Sequence, residues 1–404
     1  MTTFRLAWRN IWRNSRRTAV TVAAMTLALV VSVNYGAIMT GLLASLEGNI
    51  LDLEMGDIQV FAPDYRDRPS IYSSVDGVDA DVAALESEGY EVTPRLLAGG
   101  LAASDETSAG AMVRGIDPGR EAGATLIHEH VERGEWLDPA DPRGIVLGRR
   151  LAKSLAVAPG DEVILLSTST DGSIANDLYT VRGVLGVISD ATDRAAVYML
   201  EETFRDLFYF ESGAHQLLIR TPGGVDLATA VAHLRAIFAE LDVQSWRDLL
   251  PTMAQMLDSA AVALSIVMFI VYIAIGITVI NAMLMAVFER VREFGVLKAI
   301  GVEPGRVFRM IVIESAMQTG LAIVAGLVLS LPILWYVSEV GIDVGALGGA
   351  SMGGMAMDPI WRGVVSPMTF IRPVLLLILM VALAVIYPAA KAARIQPVEA
   401  MRYQ

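Results

Sequence analysis

The chain has 404 residues, 54% hydrophobic and 19% charged, with a formal net charge of −13 and no cysteine; its mean hydropathy is +0.51. Such apolarity places it in the membrane class. The acidity argues against a nucleic-acid partner, and the lack of cysteine excludes disulfides and thiolate metal sites. Charge is unevenly spread: residues 47–250 carry 16 Lys/Arg and 35 Asp/Glu, a net −19, whereas the remainder is +6. An acidic domain large enough for its own core is set in a basic, apolar frame.

Residues 1–17 place Phe4, Trp8, Ile11 and Trp12 at helical spacing, with Arg5, Arg9, Arg13 and Arg16 on another face and Arg17 closing the segment. This pattern predicts a cytoplasmic amphipathic helix lying in the membrane interface, with Trp8, Trp12, Arg13, Arg16 and Arg17 as its anchors to lipid. No charge occurs from Thr18 to Ser45, longer than the roughly 20 residues that cross a bilayer, so a first span is expected over 18–46. Five arginines precede it and Glu47, Asp52, Glu54 and Asp57 follow; the positive-inside rule puts the N-terminus in the cytoplasm.

Residues 47–258 read as an extracytoplasmic α+β domain in which short strands and helices alternate with turn signals. Strands are expected at 57–61, 111–116, 162–167, 178–187, 195–199 and 216–220, and helices at 78–87, 149–156, 201–208 and 225–241. Residues 242–258 read as a helical stalk. His128-Glu129-His130 could set two imidazoles on one strand face, but no third metal ligand is identifiable.

Three further spans are expected at about 260–288, 310–337 and 372–388, within a domain covering 259–404. Small residues recur every four positions on the first two, as Ala274, Thr278, Ala282, Ala286 and as Ala322, Gly326, Ser330, which suits close helix packing in lipid. The segments placed inside carry five, five and three basic residues, so the C-terminus is also expected to be cytoplasmic. No GxxxxGK[ST] or HExxH occurs, and the chain is expected to be neither an enzyme nor a cofactor or metal binder.

Between the second and third spans, residues 289–300 form a short helix pattern. Val291, Phe294, Leu297 and Ile300 recur every three residues; Glu289 with Arg292 and Arg290 with Glu293 are ion-pair candidates; Gly301 stops the helix and Pro304 lies beyond. A short helix with an apolar stripe lies on lipid or enters a protein groove.

The run Phe288-Glu-Arg-Val-Arg-Glu-Phe-Gly-Val-Leu-Lys-Ala-Ile-Gly301 resembles the signature of the FtsX/MacB-type ABC transporter permeases. The tail from Tyr387 to Tyr403 and the opening Leu6-Ala-Trp-Arg-Asn-Ile-Trp-Arg-Asn14 are similar to that family's ends. Thr93-Pro-Arg-Leu96, Val113-Arg-Gly-Ile-Asp-Pro118 and Gly144-Ile-Val-Leu-Gly-Arg-Arg-Leu-Ala152 resemble the LolC/LolE lipoprotein-releasing branch. The resemblance implies a four-helix inner-membrane permease whose partners are a cytoplasmic ABC ATPase dimer carrying ATP and Mg, and a second permease chain. It implies an ATPase-coupling helix with Glu289, Arg290, Arg292, Glu293, Phe294, Gly295, Leu297, Lys298 and Gly301 at the contact. It also implies release of lipoproteins from the outer leaflet to a periplasmic acceptor. The same family includes tripartite efflux permeases and non-transporting regulators of cell-wall hydrolases, and those alternatives stay open.

Overall fold

The structure is a computed structural model that describes residues 15–288, 291–343, 351–352, 355–356 and 360–394. The chain divides into two compact units: Ser45–Leu257 with Gly345–Pro359, and Met1–Ala44 with Asp258–Val344 and Ile360–Gln404.

The first unit is built on ten strands: β1 Ile58–Phe61, β2 Glu91–Ala103, β3 Ser108–Ile116, β4 Val131–Gly134, β5 Gly144–Leu147, β6 Glu162–Thr168, β7 Ile174–Leu185, β8 Ala196–Leu200, β9 Gln216–Arg220 and β10 Asp242–Ser245. Pairing runs β10-β1-β9-β2-β3-β8-β5-β7-β4, and β6 joins β7 back to β2. The strands β2-β3-β8-β5-β7-β6 therefore close into a ring, and β9-β1-β10 extend it from the first half of β2. The long β2 makes this possible. Its residues 91–95 pair with β9 and its residues 101–103 with β6. Alternation along β2 and β3 turns Ala98, Ala102, Ala111 and Val113 into a core shared with Val163, Leu165 and Tyr179. A second cluster, Leu53, Ile116, Ile127, Val146, Leu185 and Tyr198, covers the opposite face.

Four strands escaped the sequence pattern. β2 contains Pro94, Gly99 and Gly100, residues depleted from strands. β4 and β5 are only four residues long, and β10 occupies the start of the expected stalk. Its residues pair with β1 from Ile58↔Ser245 to Phe61↔Asp242, so the helical run begins only at Trp246. His128 and His130 lie on a single 3-10 turn, Ile127–His130, rather than on a strand. There the His130 ring Nδ1 bonds to Leu126 O at 3.0 Å.

The second unit holds most of four helices long and apolar enough to cross a membrane. They are α1 Ser15–Ile50, α9 Pro251–Phe288, α11 Pro304–Trp335 and α12 Pro367–Arg394, numbered after seven short helices of the first unit and with α10 Val291–Ala299 between α9 and α11. On α1, Met25, Leu29, Val33 and Ala37 are at most 1% exposed. Their spacing of four makes one stripe, which packs with Met310 and Ala322 of α11 and Leu377 and Val381 of α12. The small-residue strip on α11 works in this way. Ala322, Gly326 and Ser330 are buried, and a Cβ on Gly326 would stand 2.8 Å from the Leu29 side chain. The fourth helix is longer than its apolar run because it continues through Pro373 and Pro388, which lipid-embedded helices tolerate.

Candidate coupling segment and the foot of the external domain

α10 follows α9 after Glu289 and Arg290, which lie outside the described residues, as do Trp8, Trp12 and Arg13. Arg16 is exposed at the start of α1, and Arg17 lies in the same turn. α10 ends where expected from chemistry. Gly301 has φ +95° and its N–H donates to Lys298 O at 3.0 Å, while Ile300 N–H donates to Val296 O. Glycine adopts this left-handed conformation without strain. Pro304 then opens α11 at a position where its missing N–H costs nothing.

The segment is tied to the end of α12 at both of its ends. Lys391 Nζ sits 4.9 Å from the centre of the Phe288 ring, and Lys298 Nζ donates to Ala393 O at 2.8 Å. Ala393 is in the last turn of α12, where carbonyls lack helical partners and a cation is favoured. Arg292, Val296 and Ile300 are exposed, Ile300 at 74%, and Glu293 is half-buried. The backbone of Phe294, Gly295 and Leu297 completes the helix.

A second constellation was not foreseen as a site. Directly after α1 comes a π-helical turn, Leu51–Met55. Its Glu54 lies on the strand row β2-β3-β8, where Arg95, Arg114 and Tyr198 stand on neighbouring strands. Arg114 Nη2 reaches Glu54 Oε1 at 2.6 Å, and its Nη1 donates to Tyr198 OH at 2.5 Å. The hydroxyls of Ser189 (2.9 Å) and Thr192 also donate to the Glu54 carboxylate. Arg95 donates to Glu54 O at 2.8 Å and clasps Glu121 through Nε at 3.1 Å and through Nη2, while Thr125 Oγ1 donates to Glu121 Oε1 at 2.8 Å. Glu121 comes from a short helix, Pro118–Ala124, whose start is fixed by Asp117 accepting from Gly119 and Arg120 N–H.

This cluster is neutral in sum and withdrawn from water: Arg95 and Glu121 are 2% and 0% exposed, Arg114 and Glu54 14% each. Burial would raise the Glu54 carboxyl, but Arg114 and the hydroxyls of Thr192 and Ser189 hold it down at about 2. Burial, aided by the Glu54 charge and only partly offset by Arg114, pushes the Tyr198 phenol up to about 12. Beside it, Asp52 pairs with Arg220, and Asp57 accepts from Thr221 N–H at 2.7 Å. An apolar cluster of Trp246, Ala254 and Leu257 with Leu46, Leu51 and Met55 joins the two connections of this unit. In sequence, Glu54 and Asp52 stand out only as part of the acidic flank of the first span. The signal the sequence carries is Arg114, a lone charge inside the expected strand 111–116.

Comparison with known proteins agrees with both halves of the chain. Residues 18–237 match the MacB-like periplasmic core domain and residues 265–397 the FtsX-like permease C-terminal family. A lipoprotein-releasing system transmembrane protein LolC of Xylella fastidiosa is 22% identical over 308 residues, 73% of this chain and 73% of that protein. An uncharacterized ABC transporter permease of Bacillus subtilis, YknZ, is 33% identical over 129 residues, 32% of this chain and 28% of its own. Among solved structures, the periplasmic region of MacB from Actinobacillus actinomycetemcomitans aligns at 16% identity and a TM-score of 0.37, covering 52% of this chain and 97% of that one. The chain belongs to the FtsX/MacB-type permeases of ABC transporters, with membrane-spanning helices and a large α+β extracytoplasmic domain.

Proposed function

We propose that the chain is the membrane subunit of a transporter that frees lipoproteins from the outer leaflet of the inner membrane, driven by a separate cytoplasmic ATPase dimer. In this reading both termini are cytoplasmic, two permease chains pair, and the segment from about Glu289 to Ile300 rests in a groove of the ATPase. ATP and Mg are held by that partner. The closing stroke of the ATPase moves the segment, the spans carry the motion outward, and the external domain passes the substrate to a periplasmic acceptor.

The observation that carries this reading is the latching of α10. An exposed apolar end, Ile300, sits on a helix bound to α12 through Lys298, so a push on α10 is delivered to the fourth span as well as to its two neighbours in sequence. The similarity to LolC over most of both chains supports the choice of lipoprotein as substrate class.

The test is reconstitution of the full chain with its ATPase in proteoliposomes containing labelled lipoprotein. ATP should release lipoprotein to a soluble acceptor, and a wild-type complex that hydrolyses ATP without any release would refute the substrate assignment. Gly301→Trp forces a bulky residue into φ +95° and should leave ATP hydrolysis intact while cutting release at least tenfold; Glu293→Lys should do likewise. Unchanged release in both would refute docking through α10.

A further inference from the structure

The cluster around Glu54 takes two carboxylates and two guanidinium groups largely out of water, at a cost in desolvation. Charged pairs withdrawn from water rarely add net stability, because desolvation offsets their attraction, and replacement by apolar residues is often neutral or better. What such a pair supplies is direction: a guanidinium and a carboxylate held by several fixed hydrogen bonds have one low-energy arrangement, whereas apolar surfaces slide. The location matters. Glu54 is four residues beyond the end of α1, the helix that leads from the membrane into the external unit. Its side chain is gripped from β3, where Tyr198 of β8 steadies Arg114, and from Ser189 and Thr192 at the start of the 190–195 helix, and its backbone from β2. The apolar cluster at Trp246 touches the same turn from the other side, but holds it only through contacts that can slip.

We propose that Glu54 and Arg114, braced by Arg95 and Glu121, are positioning residues that lock the outer end of the first membrane helix to the β2-β3-β8 strand row, so that motion of the helix is delivered to the sheet without slack. The delivery of motion rests on the function proposed above; the lock itself does not. Thr192 and Ser189 complete the grip, because the carboxylate then has acceptor bonds on both oxygens. The role also explains why two strand motifs place arginines in apolar surroundings: each guanidinium points at the helix connection rather than at solvent.

The absence of cysteine allows a clean measurement. Spin labels on Ala44→Cys and Glu106→Cys, both exposed positions, report the distance between the helix end and the β2–β3 turn in the full chain in phospholipid nanodiscs without ATPase. The wild type should give a narrow distribution. Glu54→Gln and Arg114→Met should each broaden it at least twofold, and Arg114→Lys should broaden it less. Hydrogen exchange in β5, β6 and β7 should stay unchanged. A distribution of unaltered width in Glu54→Gln would overturn the proposal. So would broadening accompanied by lost protection throughout the sheet, because the pair would then hold the domain together rather than its joint.

With ATPase added, Glu54→Gln should hydrolyse ATP at the wild-type rate yet lose at least tenfold in release. Absence of release in the wild type would remove the function proposed above while the nanodisc widths still decide the joint.

Discussion

His215 carries no exposed surface and uses both ring nitrogens. Its Nδ1 accepts the Leu97 N–H at 3.1 Å, so the proton resides on Nε2, which donates to Ile71 O at 3.1 Å. Phe210 stacks at 4.6 Å and Tyr65 packs at 5.9 Å. Burial pushes its pKa below the ordinary 6.5, against the opposing pull of Ile71 O, because a charged ring would lose water and turn a second N–H against Leu97. The unfolded chain therefore binds more protons than the folded one just below pH 6.5. The stability this residue contributes is complete above that value and declines as pH falls through the window beneath it. Hydrogen exchange at Leu97 and along 65–75, corrected for intrinsic rate, should accelerate between pH 7.5 and pH 5, and His215→Gln should flatten the dependence. A wild type equally protected at both pH values would contradict the assignment. Nothing in the sequence singled out this histidine; its role depends on three segments meeting.

Among the elements, α1 shows what a helix in lipid demands beyond hydropathy. A Cβ on Gly41 would lie 2.0 Å from Arg362 O and 2.9 Å from Gly363 Cα, and Val364 N–H donates to Ala37 O at 3.1 Å. The returning segment 362–364 lies against bare backbone that cannot retreat as a side chain could. Gly41→Ala should cost about 1–3 kcal/mol, seen as a lower unfolding midpoint in detergent; an unchanged midpoint would mean that the close approach is not kept in solution. The spans themselves were legible because no charge interrupts Thr18–Ser45 and because small residues recur on α11. The strands were legible where Ile, Val and Leu cluster, as in β9, and illegible where Pro94 and two glycines break β2. That gap hid the ring, since β2 is the strand that closes it. For the candidate coupling segment, the stop at Gly301 could be read directly. The tie from Lys298 to Ala393 could not, because it joins residues 95 positions apart.

At the scale of the whole molecule, α9 is the helix a single chain leaves bare. Val262, Ile266, Phe269, Ile270 and Ile277 are 55–64% exposed. Lipid satisfies branched side chains of this kind, but Ala274 and Thr278, one turn apart and also exposed, offer lipid little contact and another helix a close approach. On α11 the corresponding strip is filled by α1, as Leu29 over Gly326 illustrates. The strip on α9 has no such occupant among the described residues. A second permease chain would supply one, and a two-fold axis along the strip would bring the same residue of each copy together. Thr278→Cys should form a disulfide-linked dimer in membranes under mild oxidation, whereas Val328→Cys, 60% exposed on α11, should remain monomeric. Equal cross-linking at both positions would reduce the result to random collision. Cross-linking at neither would leave the strip to a different permease chain, detectable as a mixed disulfide with that partner's matching position.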